Sequence, residues 1–302
     1  MTRFTQVDVF SQSPFGGNPV AVVHLDSSPQ VAQRLDGQAM QRFANWTNLS
    51  ETTFLLPPTD PRADYRLRIF TTDEELPFAG HPTLGSAQAW LAAGGIPQTP
   101  GVVIQECAAG LITIRLDAAP LDGLPGGELA FAAPPLLHSG EPSPQVREAV
   151  IAALGLSPEQ VVAAEWVDNG PRWLGLLLTS AEQVLGITAD YPALGQIVDP
   201  VVGQVMIGVI GSHDASHESD FEVRAFCPSL GSGVEDPVTG SLNAGLAKWL
   251  IGAGLAPANY IAAQGTVLGR TGRVRIRHDG VDTWVGGQAK VRIQGEIDMM
   301  AL

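Results

Sequence analysis

The 302-residue chain reads as an α+β protein of two similar halves related by internal duplication, each an antiparallel or mixed sheet around one helix. Three observations predict this. The stretch YRLRIFTTDEELPFAGHPTLGSAQAWL (65–91) gives a strand, a polar loop and a helix, and FEVRAFCPSLGSGVEDPVTGSLNAGLAKWL (221–250) repeats the series. Superposing Gly80 on Gly240 also matches Pro77 to Pro237, Gly85 to Gly245, Ala87 to Ala247 and Gly94 to Gly254, with no gap from the proline onward. Strands outnumber helices and mostly run in hairpins, which favours antiparallel or mixed sheets. Finally, 45% hydrophobic and 16% charged residues over this length suit two globular domains, each able to bury a core.

Taken in order, Phe4 to Phe10 alternates as a strand, Ser11 to Pro19 is a Gly/Pro/Asn loop, and Val20 to Leu25 is a second strand, together a hairpin-like start. Val31 to Ala44 has helical spacing and stops before Asn45-Trp46-Thr47-Asn48. Leu49 to Leu56 is β-rich and closes at Pro57-Pro58, so Glu51 belongs to a strand start rather than to a capping box. Tyr65 to Phe70 is a strand, with Tyr65, Leu67 and Ile69 alternating against Arg66 and Arg68. A helix follows from Gly80-His81-Pro82; proline favours the first helical position, which puts His81 at the N-cap. Short strands at Val102 to Glu106 and Leu111 to Leu116 precede a Gly/Pro/Asp linker, Asp117 to Gly127. The domains are therefore expected at 1–125 and 126–302, with the last strand free to pack back on the first.

Beyond the linker, the reading is a strand at Leu129 to Ala132, a helix at Pro144 to Leu154, and a strand at Trp173 to Thr179. A helix at Tyr191 to Val198, a strand at Gln204 to Ile210, and a Ser/His/Asp loop at Gly211 to Asp220 come next. The second repeat helix is followed by a strand near Tyr260 to Ala263, a turn at Gly269 to Gly272, and a hairpin of Arg273 to His278 with Thr283 to Ile293.

A formal net charge of −14 and a pI near 4.7 argue against nucleic acid or an anionic membrane surface as partner. The N-terminal residues lack the apolar core of a signal peptide, and the longest apolar run, Val201 to Gly211, is about half of what a membrane helix needs. The expected location is cytoplasmic. Cys107 and Cys227 have no CxxC or zinc spacing and read as reduced thiols. Each repeat helix presents free N–H groups and the positive end of its dipole, which suits a carboxylate or oxyanion. The expected ligand is a small acid between two halves.

Longer motifs carry a family resemblance: DVFSQSPFGGNPVAVV (8–23), NLSETTFL (48–55), RIFTTDEELPFAGHPTLGSA (68–87), GPRWL (170–174), EDPVTGSLNAG (235–245) and QGTVLGRTGRV (264–274). Over essentially its whole length the chain resembles the phenazine-biosynthesis PhzF family, whose members have the diaminopimelate-epimerase fold. The resemblance implies two similar domains, each a barrel-like sheet around a central helix, with an acidic small-molecule site in the cleft and no cofactor. It also implies that Glu51 is the general acid/base, and that His81, Asp236 and Ser241 hold and orient the substrate beside the helix starts at Gly80 and Gly240. Where related epimerases carry two cysteines this chain has Ala79 and Thr239, so two-base cysteine racemisation is excluded.

The chemistry agrees. Moving a proton on carbon without a cofactor needs a base with a pKa near the working pH and donors where negative charge develops. Glu51, between Leu49 and Phe54, is placed for desolvation, which raises a carboxyl pKa. Competing readings are a solvent-facing strand-end carboxylate for Glu51, a plain helix cap for His81 or Ser241, and a helix-dipole partner for Asp236. A Ser241/His81/Asp236 hydrolytic triad lacks the Gly-x-Ser-x-Gly elbow, and Gly231-Ser-Gly-Val lacks a nucleotide-binding continuation. His213-x-x-x-His217 suits a metal only on a helix, and its Gly/Ser/Asp surroundings say loop. The expectation is a cofactor-independent isomerase acting on a small anionic acid, with no metal and with a homodimer left open. The alternatives are a catalytically silent metabolite- or partner-binding protein of the same fold, or an epimerase using Glu51 and a second base, for which Asp236 is the one candidate.

Overall fold

The computed structural model describes residues 1–11, 13–25, 36–117, 128–228 and 234–298. Residues 118–127 of the predicted Asp117–Gly127 linker, the start of the helix predicted from Val31, and Gly231 to Gly233 lie outside them. The strands are β1 (Thr2–Val9), β2 (Asn18–His24), β3 (Glu51–Leu56), β4 (Tyr65–Phe70), β5 (Glu75–Leu76), β6 (Val102–Cys107), β7 (Gly110–Asp117) and β8 (Glu128–Ala132). They continue as β9 (Val161–Trp166), β10 (Trp173–Leu178), β11 (Val198–Asp199), β12 (Gly203–Gln204), β13 (Met206–Ser212), β14 (Phe221–Cys227), β15 (Val234–Asp236), β16 (Asn259–Gln264), β17 (Gly272–His278) and β18 (Thr283–Ile297). Two compact units form, Met1–Ala132 with Gly286–Leu302, and Ala133–Val285.

In the first unit the strand order is β1-β2-β3-β4-β6-β7-β8, and β18 pairs with both β8 and β1, closing a barrel. The Gly80–Ala92 helix fills it, packed against β1, β2 and β3, with every residue from Gly80 to Ala87 buried. Hydrophobic on all sides, such a helix has to be wrapped. Gly85 permits the approach, since a Cβ there would stand 2.3 Å from Val20 Cγ1. Outside the sheet the Gly37–Thr47 helix forms a second core, in which Met40 and Phe43 meet Phe54 and Phe70.

The second unit repeats the plan. β9-β10-β13-β14-β16-β17 has the same succession of antiparallel and parallel pairs as β1-β2-β3-β4-β6-β7. The Gly240–Gly252 helix packs on β10 and β17, and an outer core including Val150, Leu176, Val184 and Val209 underlies the helices Pro144–Ala153 and Ala181–Gly186. The two cores explain the α+β class: one helix per half is enclosed, and the crossover helices pack outside.

Several local expectations needed correction. The helix after β2 runs on to Thr47 and ends only where Asn48 adopts φ 55, because one left-handed residue suffices to stop a helix. The helix at Tyr191 ends at Leu194, since Val198–Asp199 pairs with β12. β9 and the Ala181–Gly186 helix leave no clear mark in the sequence; VVAAEW lacks strict alternation, and six residues are too few for a periodicity signal. Among the described residues no helix is long and apolar enough to cross a membrane, and Cys107 and Cys227 are free thiols.

The duplication extends to side chains. Arg68 pairs with Glu75 at 2.6 Å and lies over the Phe70 ring at 5.1 Å; Arg224 pairs with Glu235 at 2.8 Å and lies over Phe226 at 4.9 Å. Only the second pair is buried, at 6% and 8% side-chain exposure against 29% and 37%. There the Arg224 guanidinium also donates to the Val184 and Ile187 carbonyls. Glu75→Ala should therefore cost under about 1 kcal/mol, as exposed pairs do. Glu235→Ala, which strands a buried cation, should cost about 3–5 kcal/mol. Urea unfolding of both variants checks this, and equal losses would contradict it.

Candidate active site

Glu51 opens β3, and parallel pairing sets it opposite Val20 of β2. His81 is the second residue of the enclosed Gly80–Ala92 helix, not its N-cap: Ala79 takes that position and no side chain caps the start. Pro82 fits because first-turn N–H groups have no intrahelical acceptor, so proline marks the first turn rather than one position within it. The same holds in the second unit, where Thr239 rather than Ser241 precedes the helix, again with no side-chain cap.

The first unit brings Glu51 and His81 together. His81 Nε2 is 3.2 Å from Glu51 Oε2, with the imidazole 4% and the carboxylate 16% exposed. Burial lowers the His81 pKa from 6.5 to about 3, against a hydrogen bond to the Pro19 backbone that raises it. The ring is therefore neutral at pH 7, for want of hydration. Asn18, fully buried at the start of β2, places Nδ2 3.4 Å from His81 Nδ1. Asn18 and Pro19 were missed in the sequence; their one signal was the Gly16-Gly17-Asn18-Pro19 turn, which speaks of backbone freedom and not of a contact 63 residues away.

The second unit gathers Asp236, Gly240 and Ser241. Asp236 ends β15, and its Oδ2 accepts from Thr239 Oγ1 at 2.5 Å. Gln264 locks this turn: its Oε1 accepts from the Thr239 N–H at 3.0 Å and from Asn243 Nδ2 at 2.9 Å, while its Nε2 donates to the Asp236 carbonyl at 3.0 Å and to Thr239 Oγ1 at 2.8 Å. Ser241 Oγ accepts from Trp173 Nε1 at 3.1 Å, and its carbonyl from Asn169 Nδ2 at 2.8 Å. Trp173 belongs to the GPRWL motif, whose part in holding the helix start was not legible beforehand.

By strand register the two halves differ at the position of Glu51. Thr52 faces Phe70 as Ile207 faces Phe226, so Met206 stands in the second unit where Glu51 stands in the first. His213 and His217 stack at 3.7 Å, with His213 Nε2 3.0 Å from Glu222 Oε2 and His217 Nδ1 held by the Ser219 N–H; among the described residues no group of three metal-ligating side chains forms. A cavity of about 390 Å³ lined by Arg66, Arg68, Glu75 and Cys107 holds none of the predicted site residues.

Comparison with known proteins completes the assignment. The family model of phenazine biosynthesis-like proteins (PhzC-PhzF) matches residues 7–300. The chain is 35% identical to antisense-enhancing sequence 1 of Schizosaccharomyces pombe, over 97% of both chains. It is 33% identical to the trans-2,3-dihydro-3-hydroxyanthranilate isomerase of Pseudomonas aeruginosa, over 93% of this chain and 91% of that one. The crystal structure of a PhzF-family protein from Enterococcus faecalis superposes with a TM-score of 0.75 at 27% identity, covering 98% of this chain and 99% of the other. A duplicated epimerase-like fold, a family match over nearly the whole chain and a relative of this identity together make this protein a member of the phenazine biosynthesis-like (PhzF) family and an isomerase.

Proposed function

We propose that the protein is a cofactor-independent isomerase that moves a proton from one carbon to another within a small anionic acid, with Glu51 as its single acid/base. The carrying observation is the 3.2 Å approach of Glu51 to a neutral, buried imidazole at an uncapped helix start. A neutral His81 does not itself pair with Glu51 as a cation, and a carboxylate that both takes and returns a proton is the acid/base this chemistry needs. In this reading the substrate's anionic group is met by the N–H groups of a repeat-helix start, at Gly80 or at Gly240, and His81, Asp236 and Ser241 are the side chains that orient it.

Met206 at the place equivalent to Glu51, with Ala79 and Thr239 before the two helices, supports one base over the two-base epimerase. The test is deuterium wash-in with trans-2,3-dihydro-3-hydroxyanthranilate and a panel of cyclic unsaturated carboxylates in heavy water. The expected result is solvent deuterium, or a transferred proton, at a substrate carbon of at least one compound. Binding of a panel member without exchange would favour the silent binding protein and sink the isomerisation proposed here.

A further inference from the structure

Asp8 is a carboxylate buried to 3% exposure in β1, and burying a charge is costly unless it is engaged. Its Oδ1 accepts from the Gly17 N–H at 2.9 Å, and its Oδ2 lies 3.6 Å from Arg292 Nε of β18. Arg292 in turn reaches the Ser13 carbonyl at 3.5 Å and the Phe15 ring at 5.9 Å. The loop is drawn tightly onto the strand: a Cβ on Gly17 would stand 2.0 Å from the Val9 carbonyl oxygen, and Phe15 is held at φ 62, which a bulky residue adopts only under constraint. The next two residues are Asn18 and Pro19, the ones that touch His81, and Pro19 faces Asp8 across the hairpin.

The second unit repeats the device. Val7 pairs with Val20 as Val167 pairs with Trp173, which makes Asp168 the register partner of Asp8, and Gly170 that of Gly17. Asp168 Oδ1 accepts from the Gly170 N–H at 2.8 Å. The residues around that hook, Asn169 and Trp173, hold the carbonyl and hydroxyl of Ser241, which is the repeat equivalent of His81. Eight residues separate Asp8 from Gly17 and one separates Asp168 from Gly170, yet the carboxylate-to-glycine bond survives in both.

From this recurrence we infer that Asp8 and Asp168 are paired positioning residues: each fixes, through one glycine N–H, a turn that, with the strand it leads into, sets the second residue of the enclosed helix, His81 in one unit and Ser241 in the other. The inference rests on the proposed isomerisation for its kinetic consequence, and on geometry alone for its structural one. The experiment uses Asp8→Ala, Asp8→Asn, Asp168→Ala and Asp168→Asn in the full chain. In substrate-free protein, nitrogen NMR of His81 should show one tautomer in the wild type and in Asp8→Asn, whose Oδ1 still accepts from Gly17, but a mixture in Asp8→Ala. With trans-2,3-dihydro-3-hydroxyanthranilate or another turned-over panel acid, Asp8→Ala should lower kcat about 10- to 100-fold with KM changed less than about threefold, the scale of a misplaced reacting group. Asp168→Ala should act mainly on KM, and both Asn variants should recover most of the loss.

A His81 tautomer unchanged in folded Asp8→Ala would overturn the inference, whatever the kinetics. So would Asn variants as impaired as the Ala variants, because the hook needs an acceptor and not a charge. Should no panel acid be turned over by the wild type, the isomerase reading fails while the tautomer measurement still decides this one.

Discussion

Glu51→Gln is expected to abolish proton movement while leaving the fold intact. Glutamine keeps the size of the side chain and an acceptor oxygen, but it can neither take nor return a proton near neutral pH. General acid–base catalysis contributes about 10²- to 10⁴-fold, and where one group performs both transfers the loss should reach the upper part of that range, about 10³-fold or more in kcat. KM should move little, since the helix-start N–H groups and the orienting side chains are untouched. Deuterium wash-in should fall in parallel with turnover, because exchange passes through the same deprotonated intermediate. Full exchange in a folded Glu51→Gln protein would transfer the chemistry to another residue. Asp236 is not well placed for it, as its Oδ2 is already engaged by Thr239 Oγ1.

The second large effect is on stability in acid. Folding lowers the pKa of His81 from 6.5 to about 3, so between these values the unfolded chain binds a proton that the folded one does not. Stability is then fully present above about pH 6.5 and is lost as the pH falls toward 3. At about 1.4 kcal/mol per unit, a shift of this size in a buried ring corresponds to a loss of roughly 3–5 kcal/mol. His24, lowered to about 4 by burial and by Arg3, acts in the same direction, so the slope will not vanish when one histidine is removed. The measurement is the difference in urea unfolding free energy between pH 7 and pH 4 for the wild type and His81→Gln. The variant should lose at least about 2 kcal/mol less than the wild type. Equal pH slopes would mean that the imidazole is not held neutral by burial. Comparing slopes rather than absolute values removes the packing cost of the substitution.

Much of this molecule follows from local chemistry along the chain. Gly80-His81-Pro82 and its counterpart at Gly240 punctuate strongly enough to locate two helices, and the matched Pro-x-x-Gly spacing exposes the duplication without reference to the fold. Glu51 was identifiable as a strand-start carboxylate because Pro57-Pro58 forbids a helix there. Errors fell where local signals are short or ambiguous: the exact cap of each repeat helix, the six residues of β9, and the end of the helix at Asn48.

The amino-acid sequence by itself determined the class, the repeat, the place of Glu51 at a strand start and the two helix starts, since glycine, proline and alternation act over a few residues. Tertiary structure alone decided how deeply His81 is buried, that Asn18 and Pro19 hold it, that Gln264 locks the Asp236 turn, and that Met206 stands in the second unit where Glu51 stands in the first. Those facts depend on strand register and on burial. Both arise only when segments far apart in the chain are packed together and stripped of water.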